Sequence, residues 1–417
     1  MTTVVPPPAR AEPAAAAQPV RWSRPTELLI GQGAARQAVR QAGSDAPVGL
    51  VTDANLPEGF VDDLAGRAGK RLRRIELRPE DITLTTAEEV ADALGGVRHM
   101  VAVGGGSVLD AAAVARALIS RPELSAPIRR HPRPGLVLCP PGRRPVPHFT
   151  AVPTTVGTAA EVSSVATVRT DGGRKLLAGD VLTPNTAALD PAATAGLPRQ
   201  LVLEGVLEAM MRLLNIHVLP PAGQCPGASD AELLALLSQL ARSGAEAAGG
   251  ERHGVPAALR TDAALFSART VLGWTTLGRD PFGGKIWYLA NELSALAAVR
   301  KMTATVSVVP VVWSRLLAGD TRFGDPVRLH TAWRAVWRGL GPLRLPADPV
   351  AGFRALAAAW DVPALPRTGA PPPGELAWRA VRAWGGSQPM LGAFGVAELT
   401  ALYREIIDQP RPTRSPR

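Results

Sequence analysis

The stretch of residues 101–167 constrains the fold of this chain more than any other. Within it, a short apolar run ends at three consecutive glycines: Gly104, Gly105 and Gly106. An alanine-rich helical pattern follows over residues 108–118, with Ser107 as the predicted N-cap and Asp110 in the first turn. Glycines that open a helix let bare backbone N–H groups approach a diphosphate at the positive end of that helix. The pattern therefore indicates a nucleotide site.

A second motif separates this hypothesis from a simpler one, a tight turn between a strand and a helix. A glycine run alone fits both equally well. Further along the chain, a strand leads into a loop of hydroxyl-bearing and glycine residues: Pro153, Thr154, Thr155, Gly157, Thr158 and Glu161. Such a loop supplies short hydrogen-bond donors for phosphate and ribose groups. The two motifs together favour a dinucleotide cofactor over a plain turn.

With both motifs present, written GGGSxxD and PTTxGTxxE, the chain resembles the iron-dependent (group III) alcohol dehydrogenases of the dehydroquinate synthase-like superfamily. The resemblance extends over most of residues 22–313. It implies an α/β, Rossmann-like nucleotide-binding domain followed by an all-α domain, with the substrate in the cleft between them. It also implies an NAD-dependent dehydrogenase that forms a dimer or a larger oligomer. The implied cofactor-binding residues of the two motifs are Gly104, Gly105, Gly106, Ser107, Asp110, Thr154, Thr155, Gly157 and Thr158.

The order of predicted elements agrees with that organisation. Alternating strand and helix patterns predict an α/β domain over residues 21–190. Alanine- and leucine-rich helical patterns dominate afterwards and predict an all-helical domain over residues 191–417. Residues 1–20, rich in proline and alanine, are predicted to be a disordered tail. Six prolines predict a loop over residues 121–144, which is also basic.

Two further residues are candidates for the cofactor site. Asp53 follows a predicted strand, and open α/β sheets bind their ligands at the carboxyl ends of strands. The resemblance implies that this carboxylate contacts the adenosine ribose, which favours NAD over NADP because a 2′-phosphate would meet a like charge. A turn-capping aspartate is the alternative. Lys175 lies in a predicted hairpin around residues 171–173. It matches a lysine that reaches the cofactor in that family, or else is a solvated hairpin lysine.

The chain departs from the resembled family where a metal should bind. Members of that family hold a divalent metal through an aspartate, a histidine four residues later and two more histidines of a following segment. The metal polarises the substrate hydroxyl. An ungapped alignment places Glu208, Arg212, Trp287 and Lys301 at those positions, and Asn291 at that of the histidine thought to relay the proton. One carboxylate without imidazole partners is a poor transition-metal site, so no metal is expected.

The substitutions indicate an ion-pair cluster in place of the metal. Arg212 and Lys301 bring two positive charges toward Glu208, and a buried cation needs a paired anion. In the enzyme hypothesis, Lys301, with Arg212, supplies the positive charge or acts as the general base, and hydride passes to NAD. In the alternative hypothesis, the fold is a scaffold without catalysis that supports an active partner. The third and weakest hypothesis is a sugar phosphate cyclase, from the other branch of the same superfamily. Gly205 and Glu208 match the Gly-x-x-Glu pattern of the cyclases.

Composition limits the remaining options. The net charge is +10, and the basic residues are scattered along the chain except for clusters in the loop of residues 121–144 and at residues 411–417. No nucleic-acid-binding motif lies beside these clusters. No apolar run is long enough to span a membrane, so neither nucleic acid nor a membrane is an expected partner. The two cysteines, Cys139 and Cys225, are far apart and lack metal spacing. We expect a cytoplasmic protein without a disulfide framework.

The substrate is predicted only as a class, a small molecule or a peptide that carries a hydroxyl group. The arginine, alanine and proline bias resembles that of high-GC actinobacteria, where divergent members of the resembled family act in natural-product pathways. Dehydrogenases of the daptide type, which oxidise the C-terminal threonine of a ribosomally made peptide, are one candidate group. The basic loop of residues 121–144 would be the place to hold such a peptide.

Overall fold

The computed structural model describes most of the chain. The described residues are 22–43, 46–69, 71–130, 135–142, 146–219, 227–250, 254–341, 343, 345–366 and 368–409. The predicted disordered tail at residues 1–20, the basic C-terminal residues 411–417 and part of the basic loop lie outside them. Within the described residues, no helix is both long and apolar enough to cross a membrane.

The first part of the chain alternates strands with helices. Its strands are β1 (Glu27–Ile30), β2 (Val48–Asp53), β3 (Leu72–Leu77), β4 (His99–Gly104), β5 (Leu136–Leu138), β6 (His148–Pro153), β7 (Val165–Thr170), β8 (Gly173–Ala178) and β9 (Thr186–Leu189). Its helices are α1 (Ala34–Ala42), α2 (Glu58–Arg67), α3 (Leu84–Ala93), α4 (Gly106–Ser120) and α5 (Ser125–Arg130). The α/β class expected from the sequence is confirmed.

Six strands form one parallel sheet in the order β3-β2-β4-β6-β9-β1. From β2 the chain moves outward to β3, whereas from β4 it moves the other way to β6 and β9. The order therefore reverses between β2 and β4. Successive residues of β4 point alternately into two cores, Met100 toward α3 and α4, and Val101 toward α1 and α2. Because both faces are covered by helices, ligands can approach only at the strand ends, and the crevice at the reversal is the usual place.

A smaller sheet corrects one expectation about the proline-rich segment. The predicted hairpin is present as β7 and β8, which pair antiparallel, but β5 adds a third strand parallel to β8. Residues 121–144 are thus not simply a loop, since their described part also contains α5. Ile128 of α5 is fully buried and Val137 of β5 is nearly so. Burial of these apolar residues outweighs the local preference of the surrounding prolines for irregular structure.

The start of α4 also differs from the prediction. The helix begins at Gly106, and its N-cap is Gly105, in an extended conformation with φ −73° and ψ 178°. Ser107 therefore lies inside the first turn, exposed, and is not the N-cap. A side chain on Gly106 would place its Cβ 2.9 Å from Thr158 Cγ2. The third glycine consequently allows the helix to start against the second motif.

The rest of the described chain is helical. Its helices are α6 (Arg199–His217), α7 (Gly227–Gly249), α8 (Ala257–Leu272), α9 (Lys285–Leu296), α10 (Lys301–Leu317), α11 (Pro326–Gly339), α12 (Pro349–Ala359), α13 (Pro373–Trp384) and α14 (Val396–Asp408). Their core includes four fully buried indoles, Trp313, Trp333, Trp360 and Trp384. The change from strands to helices falls between β9 and α6. The exact domain boundary at residue 190 stays a prediction.

Candidate active site

The two motifs form one surface at the carboxyl ends of β4 and β6. The Thr154 N–H donates to the Gly104 carbonyl over 3.0 Å, which ties the two strand ends together. A Cβ on Gly105 would lie 3.4 Å from Thr155 Oγ1, so the glycine backbone runs directly beside that hydroxyl. Bare backbone and hydroxyl donors therefore face the same space at the N-terminus of α4, as a diphosphate requires.

Asp53 lies at the end of the neighbouring strand β2, next to the point where the strand order reverses. Its Oδ1 accepts the Asn55 N–H over 2.9 Å, so the side chain caps a turn. This bond fixes a half-exposed carboxylate at the edge of the crevice. Asp53 therefore does cap a turn, as the alternative interpretation expected. Its contact with the ribose stays a prediction.

Lys175 is not a solvated hairpin lysine, because only 5% of it is exposed. It lies on β8 opposite Val168. Burial lowers the pKa of its ammonium, Arg382 lowers it further, and Glu292 partly opposes the shift. The hairpin thus carries this lysine to the helical half of the protein. Its contact with a cofactor stays a prediction.

The second motif is pressed against α6 through a contact between two glycines. Gly157 has a φ of 101°, and a Cβ there would lie 2.1 Å from the Gly205 carbonyl oxygen. In return, a Cβ on Gly205 would lie 2.2 Å from the carbonyl oxygen of Val156. The Gly-x-x-Glu pattern that resembled a cyclase thus has a packing explanation, since only glycine allows the loop backbone to approach the helix this closely.

Arg212 is placed differently from the expected ion-pair cluster. Its guanidinium donates to the carbonyl oxygens of Gly157 (2.7 Å) and Thr158 (2.8 Å) and to Thr270 Oγ1 (2.7 Å). It therefore makes its hydrogen bonds to the loop and to α8, and acts on Glu208 only through the electrostatic field. Of the two cations expected around Glu208, Lys301 contacts the carboxylate directly, whereas the loop carbonyls lie within reach of Arg212 and occupy its guanidinium.

Lys301 forms the other half of the expected cluster. Its Nζ lies 3.0 Å from Glu208 Oε1 and 4.2 Å from the centre of the Trp287 ring. The side chain of Lys301 remains 37% exposed, whereas that of Glu208 is 14% exposed. Lys301 lowers the pKa of the Glu208 carboxyl against the effect of burial. An ammonium group held by one anion and one aromatic face, and still open to solvent, can meet a polar ligand.

Asp110 brings the cofactor motif to this ammonium group. Its carboxylate accepts the Thr167 N–H (2.9 Å) and Oγ1–H (2.7 Å). Burial raises the pKa of Asp110 to about 6; Lys301 lowers it and Glu208 raises it. Asn291 follows Trp287 by one helical turn on α9 and is half-buried. Glu208, Lys301 and Asp110 are thus within electrostatic reach of one another.

Sequence reasoning gave no role to two residues beside Arg212. Glu161 is 3% exposed, and burial raises the pKa of its carboxyl to about 7, with Arg212 opposing the shift. Its place in the PTTxGTxxE motif was a signal for this position. Thr270 is fully buried in α8 and accepts a hydrogen bond from Arg212. Nothing in the sequence marks it, because a threonine in a helical pattern gives no indication of a partner that is distant in the chain.

The residues at the expected metal positions do not fit a divalent cation. Glu208 is the single oxygen donor among them, and its Oε1 already accepts from an ammonium group. Arg212, Trp287 and Lys301 supply no ligand atom that a metal prefers. Across the described part of the chain, no group of three or more His, Cys, Asp or Glu residues is arranged to hold a metal.

Comparison with known proteins agrees with the fold and with the cofactor motifs. A family model for iron-containing alcohol dehydrogenase matches residues 25–191, which carry both motifs. The NADPH-dependent butanol dehydrogenase of Clostridium saccharobutylicum is 26% identical over 48% of this chain and 52% of its own length. The phosphonoacetaldehyde reductase of Streptomyces viridochromogenes is 34% identical over 45% of this chain and 50% of its own.

Similarity in structure extends over more of the chain than similarity in sequence. The solved NADH-dependent butanol dehydrogenase A of Thermotoga maritima superposes with a TM-score of 0.72 at 14% identity, covering 93% of this chain and 98% of that one. In sequence, the chain spans about half the length of the curated relatives. Residues 25–191 thus match the family model for iron-containing alcohol dehydrogenase, and the chain shares its fold with solved alcohol dehydrogenases.

Proposed function

We propose that this protein is an NAD(P)-dependent oxidoreductase that interconverts a hydroxyl and a carbonyl group without a metal at the family's usual position. The observation that carries the proposal is the placement of Lys301. Its ammonium is held by Glu208 and Trp287, which, like Lys301, align with the family's metal ligands, and it lies within the electrostatic reach of Asp110 from the glycine motif. A positive charge therefore acts on a residue of the cofactor motif.

Lys301 would take over the polarisation of the substrate oxygen. In the direction of carbonyl reduction, the ammonium donates a hydrogen bond to the carbonyl oxygen and then transfers its proton as that oxygen becomes a hydroxyl. The bound cofactor supplies the hydride. Because the lysine side chain is 37% exposed, the amine can regain its proton from water. In the direction of oxidation, the same nitrogen receives the proton of the hydroxyl.

Asp53 supports a preference for NAD in this proposal. The half-exposed carboxylate at the reversal of the sheet would repel the 2′-phosphate of NADP. Among the similar proteins, one butanol dehydrogenase is named NADPH-dependent and another NADH-dependent. Similarity to them therefore does not decide between NAD and NADP. The choice is therefore proposed from this side chain.

The substrate is proposed as an alcohol or aldehyde, in line with the names of the relatives. A peptide hydroxyl, as in natural-product biosynthesis, stays a further hypothesis that rests on composition and on the basic segment around α5. A panel of short alcohols, aldehydes and threonine-terminated peptides, followed by NAD(P)H absorbance, separates the two substrate classes.

The decisive experiment measures cofactor binding and hydride transfer in metal-free buffer. We expect NADH to bind in calorimetry at similar affinity with chelator and with added ferrous or zinc ion. Lys301→Met should abolish turnover and retain cofactor binding. Arg315→Met serves as the matched control, because Arg315 is an ion-paired cation farther along the same helix, α10. Activity that requires added metal contradicts the metal-independent mechanism, and binding without turnover on any substrate supports the scaffold alternative.

A further inference from the structure

We propose that Arg212 is a positioning residue that fixes the cofactor-binding loop to α6, so that cofactor affinity depends on it more than the chemical step does. The inference rests on the proposed function, since it assumes that the loop of residues 154–158 binds NAD(P). It assigns the two cations at the family's metal positions to different tasks, Lys301 to the substrate and Arg212 to the loop.

The contacts of Arg212 connect three separate elements. One terminal nitrogen donates to two successive carbonyl oxygens of the loop, those of Gly157 and Thr158. The other terminal nitrogen donates to Thr270 Oγ1 on α8. Thr270 is itself oriented, because its hydroxyl donates to the Ser267 carbonyl over 2.7 Å. Both terminal nitrogens of the guanidinium are therefore hydrogen-bonded, and these bonds fix the two loop carbonyl groups relative to α6 and α8.

These bonds determine which way the loop presents its donors. The carbonyl oxygens of Gly157 and Thr158 turn toward Arg212, on the side of the helical half. The peptide units there are planar, so the N–H groups that belong to them point away from the guanidinium. The N–H groups of a phosphate-binding loop must converge on the ligand. A loop released from Arg212 would sample orientations in which its carbonyl oxygens repel a diphosphate.

The electrostatic surroundings explain how a guanidinium is stable in this position. Glu208, one helical turn before Arg212, and the buried Glu161 both favour its charged form, while burial opposes it. A lysine would not replace it, because an ammonium on a straight stem lacks the planar fork that reaches Thr270 and the loop simultaneously. Arg212→Lys therefore tests the geometry while it retains the charge.

The test compares cofactor affinity with turnover in matched variants. For Arg212→Lys and Arg212→Ala, we expect the Kd for NADH, measured by fluorescence titration, to rise about tenfold or more, and kcat at saturating cofactor to change by less than about threefold. Guanidinium ion at a low, non-denaturing concentration should restore part of the affinity of Arg212→Ala but not of Arg212→Lys. Thr270→Val should show a smaller rise in Kd in the same direction.

Arg116→Lys is the matched control for a purely structural loss. Arg116 is also buried and donates to the backbone carbonyls of Pro147, Val181 and Thr183, but these lie away from the carboxyl edge of the sheet. We expect it to lower the Tm and leave the Kd for NADH unchanged. An unchanged Kd in Arg212→Ala, or a fall in kcat as large as the rise in Kd, overturns the inference. A wild-type protein that binds neither NADH nor NADPH instead overturns the proposed function.

Discussion

Substituting Gly205 by alanine tests the contact on which the site depends. Within a helix, glycine to alanine alone would stabilise the fold by up to about 1 kcal/mol. Here, however, the new Cβ would lie 2.2 Å from the Val156 carbonyl oxygen and 2.8 Å from its carbon. Both are backbone atoms, so the loop would have to move by roughly 1 Å to restore van der Waals distance. Overpacking of this kind costs about 1–3 kcal/mol. Less the gain in helix propensity, we expect a net loss of roughly 1 kcal/mol.

The displaced loop carries Gly157 and Thr158, so Gly205→Ala should also weaken NADH binding. Denaturant unfolding measures the stability, and calorimetric titration measures the affinity. Gly66→Ala is the control, because Gly66 lies near the end of α2, is exposed, and has no atom within 4 Å of the place where a Cβ would lie. That variant should be slightly more stable than the wild type and bind NADH equally well. If Gly205→Ala behaves like the control in both assays, the close contact between loop and helix is refuted.

Three other predictions follow from the charges of the site. In a double-mutant cycle of Lys301→Met and Glu208→Gln, unfolding free energies should reveal a coupling of about 1–2 kcal/mol, because the pair is hydrogen-bonded but half-exposed. Asp53→Asn, which keeps the turn-capping oxygen, should shift the NADP-to-NAD affinity ratio about tenfold toward NADP in paired titrations. Glu161→Gln should flatten the fall in stability between pH 5 and 8 in denaturant titrations. The raised pKa of about 7 favours the protonated folded state, so that stabilisation, up to about 3 kcal/mol, is lost as pH rises through 7.

Each of these has an outcome that contradicts it. A coupling near zero would mean that Glu208 and Lys301 do not stabilise one another. For the Asp53 variant, Asp62→Asn is the control, because Asp62 is exposed on α2 and pairs with Arg74; an equal shift in both variants would exclude a local effect. If wild type and Glu161→Gln lose stability in parallel as the pH rises, the buried carboxyl does not titrate in that range.

The sequence predicted the cofactor half of the fold well because its signals are local. The glycine run and the Pro-Thr-Thr turn mark where two strands end, and β4 and β6 do end there, at Gly104 and Pro153. The motifs also met as expected, since parallel strands bring their carboxyl ends to one edge. The sequence also predicted that Lys301 lies beside Glu208, because the segments that contain them align with two parts of the same metal-binding pattern.

What the sequence did not predict depends on distant contacts. Helix α13 starts within a run of prolines, Pro371 to Pro373, and its place in the fold depends on Glu292 and Tyr288, which meet Trp384. The carbonyl oxygens that receive Arg212 belong to the backbone, which every residue carries, so no side-chain pattern marks them. The burial of Lys175 likewise follows from the packing of the hairpin on the helical half.

That hairpin has a consequence for how the protein unfolds. Arg174 Nη1 donates to Ser294 Oγ over 3.4 Å, and the Glu292 carboxylate of α9 favours the charged forms of both Arg174 and Lys175. The Gly135 N–H also donates to the Ala383 carbonyl. A fragment that ends at residue 190 would expose the apolar side of β8 and leave Lys175 without its buried carboxylate. The two halves should therefore melt in one cooperative transition, and neither should be expressible as an independently folded piece.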